Sequence, residues 1–446
     1  MESVTTGESR ATLTTGPNGQ GSINALGWKA PESKKARRAT LAYRTLAIFS
    51  VLYFARPEDF VPGLGFIPMQ KILGGIAFLG LLVGLRSQRG RTKWAPELKV
   101  LVALFCWQCL TIPFASYKGG AFWWVWGKCS KAVIVALLVG LVVSSVQQLK
   151  QLVSIQAVSV AAMTVFSVVV YRGGRMGGVL GGVFDNPNDL AMNIALNWPI
   201  CLMFLLATKN PFKKVLWGVG MLIMVRGLIL TYSRSGFLAL AVALLFSLWE
   251  FGVRGKRHYL FGIAAFCAIA VAVFVPGNYS DRLQSIFSNQ VSAYGDSKQA
   301  REELLKESLQ ITATHPLLGI GPGNFGSYTR LWRVTHNTYT EFSAEAGIPA
   351  LIMFIAIMVM AFRNLRRTRS SKLYQESAEV RLYTGGLWAG LAAYLMGAAF
   401  ASTAYQLFPY FMVAYTTALY RLACLPAEEN DNKALPDRVQ LVPFRA

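Results

Sequence analysis

Residues 333–372 read RVTHNTYTEFSAEAGIPALIMFIAIMVMAFRNLRRTRSSK. A polar lip leads into an apolar run over 344–363, close to the ~20 residues that a helix needs to cross a hydrocarbon core. The run ends in RNLRRTRSSK (363–372), a basic cluster of the kind that marks a cytoplasmic loop. One stretch thus predicts both a membrane span and its direction, with the lip outside.

The pattern recurs along the chain. Apolar runs predict twelve spans, at 41–55, 70–86, 98–115, 128–146, 150–170, 188–208, 213–232, 234–252, 258–276, 344–363, 381–401 and 405–422. With the N-terminus in the cytoplasm, alternation puts RSQRGRTK (86–93), KNPFKK (209–214), RGKR (254–257) and RNLRRTRSSK all on the cytoplasmic side. The expected fold is an all-α polytopic membrane protein of about twelve transmembrane helices. Its parts are a disordered cytoplasmic tail (1–40), nine spans (41–276), one large outer loop containing helices (277–343), three spans (344–422) and a second cytoplasmic tail (423–446).

Composition agrees. Hydrophobic residues make up 54% of the 446 and charged residues 15%, against about 25% charged in ordinary soluble domains. Mean hydropathy is +0.40. A net charge of +22 would suggest nucleic acid on a folded basic domain. Here the bases lie in short clusters between apolar runs, so the charge reports topology and anionic lipid head groups instead. Among six cysteines, Cys106 and Cys109 form CWQC. Within an apolar helix and without a second Cys or His pair, this reads as packing.

The outer loop carries six Lys/Arg and six Asp/Glu, a balance that lets a long segment be translocated largely regardless of charge. Within it, SKQAREELLKESLQITAT (297–314) predicts an amphipathic helix capped by Ser297. GPGNFG (321–326) is formally G-x-G-x-x-G, but a helix precedes it and no βαβ unit surrounds it. It reads as a tight turn back toward the membrane, with His315 of THP a turn residue. The aromatics of YKGGAFWWVWGK (117–128) read as an interfacial belt, with sugar stacking by Trp123 or Trp124 as the alternative.

Four stretches bear on chemistry. LILTYSRSGFLAL (228–240) sets Arg234 between two apolar runs, where it either snorkels to the head groups or holds an anion. FDNPNDLA (184–191) places Asn188 and Asp189 at a helix start, as caps or as part of an anion site. Arg282 and Arg301 add cations on the same side. His336, one of three histidines, stands beside Asn337 as a group able to titrate near neutrality. Together they describe an anion pocket. Glu341 and Glu345 lie four apart on one helical face, which helix N-terminal acids explain with no further role. No histidine pair or carboxylate cluster suits a metal.

TYSRSGFLAL, REELLKESLQITATHPLLGIGPGNF and THNTYTEFSAEAGIPAL resemble the O-antigen ligase and polymerase superfamily, most strongly over about 180–360. The resemblance implies a GT-C-like inverting glycosyltransferase of the bacterial inner membrane, independent of metal and of any cofactor. It implies transfer of a glycan from undecaprenyl diphosphate to an acceptor hydroxyl at the periplasmic face. His336 matches the family's motif histidine, a general base; Arg234 and Arg301, less securely Arg282, match its arginines, which hold the diphosphate; Asn188 and Asn337 join the substrate site. The first spans and the N-terminal tail match no motif of the family, so the acceptor stays open among lipid A core, a growing polysaccharide and protein hydroxyls. The competing class is a secondary transporter or flippase, against which stand the lack of an internal repeat and the gathering of polar features on one outer loop.

Overall fold

The computed structural model describes residues 34–55, 94–177, 186–265, 298–329 and 333–424, with isolated helical positions between 72 and 82. The described elements are all helical. They are α1 (Lys34–Ala55), α2 (Pro96–Phe114), α3 (Lys118–Val142), α4 (Val146–Val170), α5 (Pro187–Ala207), α6 (Pro211–Leu230), α7 (Arg234–Val253), α8 (Lys298–Thr314), α9 (Phe325–Tyr328), α10 (Thr338–Thr368), α11 (Lys372–Glu376), α12 (Ala378–Ala398) and α13 (Phe408–Cys424). Among the described residues six helices, α2, α3, α4, α5, α7 and α10, are long and apolar enough to cross a membrane. The expected spans at 70–86 and 258–276 lie wholly or partly outside the described residues. So do Ser297, Arg282 and most of both tails. Two expected boundaries shift. The aromatic stretch before residue 128 is already the first part of α3, and α10 begins at Thr338, inside the segment expected as loop.

Local chemistry starts these helices. Ser145, Asn186, Asn210, Ser233, Asn337 and Ser377 each accept a hydrogen bond from a backbone N–H of the first turn of α4, α5, α6, α7, α10 and α12. Pro187 and Pro211 follow two of these caps, where a missing N–H is harmless. Large apolar side chains of α6 and α7 such as Phe212, Leu216, Leu222 and Leu245 are exposed, as expected of a lipid-facing surface. Hydrocarbon offers no hydrophobic drive to helix association, so close packing of small residues must supply it. In the α5–α7–α12 trio it does: a Cβ on Gly390 would fall 2.9 Å from Leu196 O and one on Gly397 2.6 Å from Met192 Sδ.

The two ends of the bundle differ in kind. At one end Arg369, after α10, donates to Glu250 near the end of α7 (2.8 Å), and Lys150 pairs with Glu379 (2.6 Å). There too Glu97, buried at the start of α2, accepts from Asn364 and Thr417 at 2.6 Å each. This is the end to which KNPFKK, RGKR and RNLRRTRSSK belong. The opposite end carries the polar starts of α5, α7 and α10.

Candidate functional site

The turn between α6 and α7 is built by TYSRS. Tyr232 takes a left-handed conformation (φ 50°), which reverses the chain in three residues. Ser233 then caps α7, accepting from Gly236 N at 3.1 Å. Arg234 is therefore the first residue of α7, and its side chain leans toward the helix N-terminus, where helix partial charge and guanidinium both favour an anion. Ser233 Oγ also bonds Asn188 Oδ1 (2.9 Å) and Ser235 Oγ (3.0 Å).

Asn188 is not the cap that the sequence suggested. Asn186 caps α5, accepting from Asn188 N at 2.9 Å, while the buried Asn188 side chain joins three segments. Its Oδ1 accepts from Arg175 Nη2 (3.0 Å) as well as from Ser233, and Arg175 Nε reaches Thr231 O (3.2 Å). Two donors on one oxygen fix which way the amide points.

A helix break shapes the facing wall. Within α10, Gly347 is non-helical (φ 80°, ψ 169°), and Pro349 has no N–H to return to Glu345 O. The GIG segment occupies the gap. Ile320 N donates to Ala344 O (3.0 Å), Gly321 N to Glu345 O (2.8 Å) and Ile348 N to Pro316 O (2.8 Å). A Cβ on Gly347 would collide with Leu317 O, so only glycine allows this docking. Trp107 Nε1 takes the carbonyl of Ala346 (2.9 Å).

Glu345 locks the arrangement, contrary to its expected lack of a role. Its carboxylate accepts from Gly323 N (2.7 Å), Phe325 N (3.1 Å) and Tyr405 OH (2.8 Å). Glu341, one turn earlier, accepts from Ala404 N (3.2 Å). GPGNFG is thus a turn clamped to a carboxylate. It carries α8 with it, since Leu304 and Ile311 share a small core with Ile320, Phe325 and Ala344.

His336 precedes the α10 cap. Asn337 Oδ1 accepts from Tyr339 N (2.9 Å) and Thr340 N (3.2 Å), so this side chain is engaged as a cap. His336 itself is left-handed, with φ 53°. The 399–407 segment fastens this lip to the end of α12, through Thr338 Oγ1 to Ala401 O (2.6 Å) and Thr403 Oγ1 (2.8 Å).

Between these parts opens a cavity of about 280 Å³. Arg234, Ser235 and Leu238 of α7 line it, with Arg301, Glu302 and Leu305 of α8, Thr335, His336 and Asn337 of the lip, and Ala399 and Phe400. Four of the six residues read from the sequence meet here: Arg234, Arg301, His336 and Asn337. Asn188 is not in the lining, but reaches it through Ser233 and Ser235. Arg282 lies outside the described residues. His315 stands apart, exposed at the end of α8, with Nδ1 2.9 Å from Thr314 Oγ1 and its ring edge-on to Tyr328. Trp123 is exposed, whereas Trp124 packs edge-on to Tyr405 beneath the Lys128 ammonium. Sequence reasoning missed Arg175, Ser402 and Tyr405; the second arginine of YRGGR was the one available signal for any of them.

The cavity combines two guanidinium groups, one imidazole, one carboxylate and an apolar wall of Leu238, Leu305 and Phe400. Such a set suits an amphiphile with an anionic head and a hydroxyl to deprotonate. Residues 219–355 match the family described as O-Antigen ligase, and residues 63–183 match a family of unknown function (DUF5935). No curated protein matches the chain.

Proposed function

From the match of residues 219–355 to the family described as O-Antigen ligase, we propose that the chain is a glycosyltransferase with a periplasmic active site in the inner membrane. The donor is a glycan on undecaprenyl diphosphate and the acceptor is a hydroxyl, that of a lipid A core in the ligase reading. The observation that carries the proposal is that Arg234, Arg301 and His336, all within the matched region, line one cavity together with the apolar residues Leu238, Leu305 and Phe400.

In this mechanism Arg234 and Arg301 hold the diphosphate, the planar fork of each matching two phosphate oxygens. His336 takes the proton of the acceptor hydroxyl. The acceptor oxygen attacks the anomeric carbon from the face opposite the diphosphate, the bond from that carbon to the diphosphate oxygen breaks, and the configuration inverts. Undecaprenyl diphosphate leaves with its added charge spread over the guanidinium groups. Leu238, Leu305 and Phe400 give the first isoprene units an apolar path out of the cavity.

The test is transfer in detergent from purified undecaprenyl-diphosphate-linked glycan. Run against core lipid, free polysaccharide and a Ser/Thr-containing protein, it separates ligase, polymerase and protein-glycosylating activity. Product with none of these acceptors, together with movement of the donor across a reconstituted bilayer, would overturn the transferase in favour of a flippase.

A further inference from the structure

His336 occupies a backbone region that residues other than glycine rarely enter, at φ 53°. Such a conformation persists where its surroundings over-determine it, and the surroundings here are two hydroxyls. His336 N donates to Ser402 Oγ at 2.9 Å. Ser402 Oγ lies 2.9 Å from Thr335 Oγ1, and Thr335 Oγ1 donates to Asn337 O at 3.1 Å while accepting from Asn337 N at 3.4 Å. A hydroxyl has one proton, and that of Thr335 is used on Asn337 O. The Ser402 proton therefore goes to Thr335. The chain runs in one direction, from His336 N–H to Ser402, to Thr335, to the carbonyl of Asn337, and it closes around the residue that faces the cavity.

We propose that Ser402 is a positioning residue for His336: it holds the left-handed backbone that aims the imidazole into the cavity, and it couples that aim to the end of α12. The proposal rests on the reading of His336 as the base. Ser402 comes from the segment whose Ala399 and Phe400 line the cavity and whose Ala401 and Thr403 are bonded to Thr338. Substrate seated against Phe400 and the base thus share one support. Losing the Ser402 hydroxyl leaves the His336 N–H without this acceptor and lets the backbone relax, which moves the ring but leaves both arginines in place.

The experiment is steady-state transfer by the full-length protein in detergent, with purified undecaprenyl-diphosphate-linked glycan as donor. Ser402→Ala is expected to lower kcat about 10- to 100-fold, the scale of a small misplacement of a catalytic group, with the donor KM within about twofold. Ser402→Thr restores kcat because it keeps the hydroxyl. Thr335→Val repeats the loss and Thr335→Ser does not, which supplies the same test if Ser402→Ala fails to accumulate. In the His336→Ala background, Ser402→Ala slows the residual reaction no further. Wild-type kcat in both Ser402→Ala and Thr335→Val, or an undiminished effect of Ser402→Ala on His336→Ala, overturns the positioning role while leaving the base intact. A fully active His336→Ala enzyme is a different result, and overturns the base itself.

Discussion

Replacing Glu345 with Gln tests the clamp that shapes the cavity's far wall. The carboxylate offers Oε2 to Gly323 N and Tyr405 OH and Oε1 to Phe325 N. A glutamine has one carbonyl oxygen. Set in the Oε2 position, it keeps two bonds, now between neutral groups, and turns its NH₂ toward the Phe325 N–H. Each bond that loses its charge weakens by about 1 kcal/mol, and a buried donor left without an acceptor adds about 1–3 kcal/mol. The clamp therefore loses about 3–5 kcal/mol, which at its lower end is roughly a hundredfold in the equilibrium for local opening. Hydrogen exchange by mass spectrometry on the detergent-solubilised protein reads this directly. Peptides covering 319–326 should exchange about a hundredfold faster, while peptides within α12 hold their wild-type rate. Less than about a threefold change over 319–326 would refute the role of Glu345 as a clamp. Equal acceleration in α12 would show a global loss of stability instead.

Four further outcomes are expected in the transfer assay. Arg234→Lys should lose most activity at normal abundance, because a point charge does not replace a planar fork on a diphosphate; near-normal transfer would make Arg234 a snorkelling anchor. His336→Ala should cost about 10²–10⁴-fold, and the wild-type rate should fall as acid protonates the imidazole, since a protonated ring accepts no proton; a rate that falls instead as pH rises would make His336 a cation against the diphosphate. Asn188→Asp, which keeps an acceptor for Arg175 and Ser233, should retain more activity than Asn188→Leu, which leaves both donors without it; equal losses would deny the importance of that oxygen. His315→Ala should stay close to wild type, and a loss comparable to that of His336→Ala would give this histidine a part in the chemistry.

Much of the architecture was legible in the residues because a bilayer makes stringent demands. Apolar runs of spanning length and basic clusters between them are local features, readable from the solvent each segment must meet. Caps such as Asn337 and Ser233 are local features too, although the sequence reading assigned Asn337 to the substrate site and took neither residue as a cap. Arg234, Arg301 and His336 stood out because charge and titratable groups are scarce in such a chain, and they face a common cavity. The tertiary structure decided what the local pattern left ambiguous. Asn188 looked like a cap and is instead the oxygen on which Arg175 and Ser233 converge. Glu345 looked like an acid at a helix start, yet its carboxylate is held by donors from two other segments, one of them 60 residues away. Ser402 carried no signal at all, because its meaning lies in a bond to a backbone N–H 66 residues earlier. A buried polar group must find partners wherever the chain brings them. The sequence by itself therefore determined an all-helical chain with several helices able to cross a membrane and which side chains are chemically unusual there, while only the folded chain could decide which distant hydroxyl, amide or carboxylate satisfies each of them.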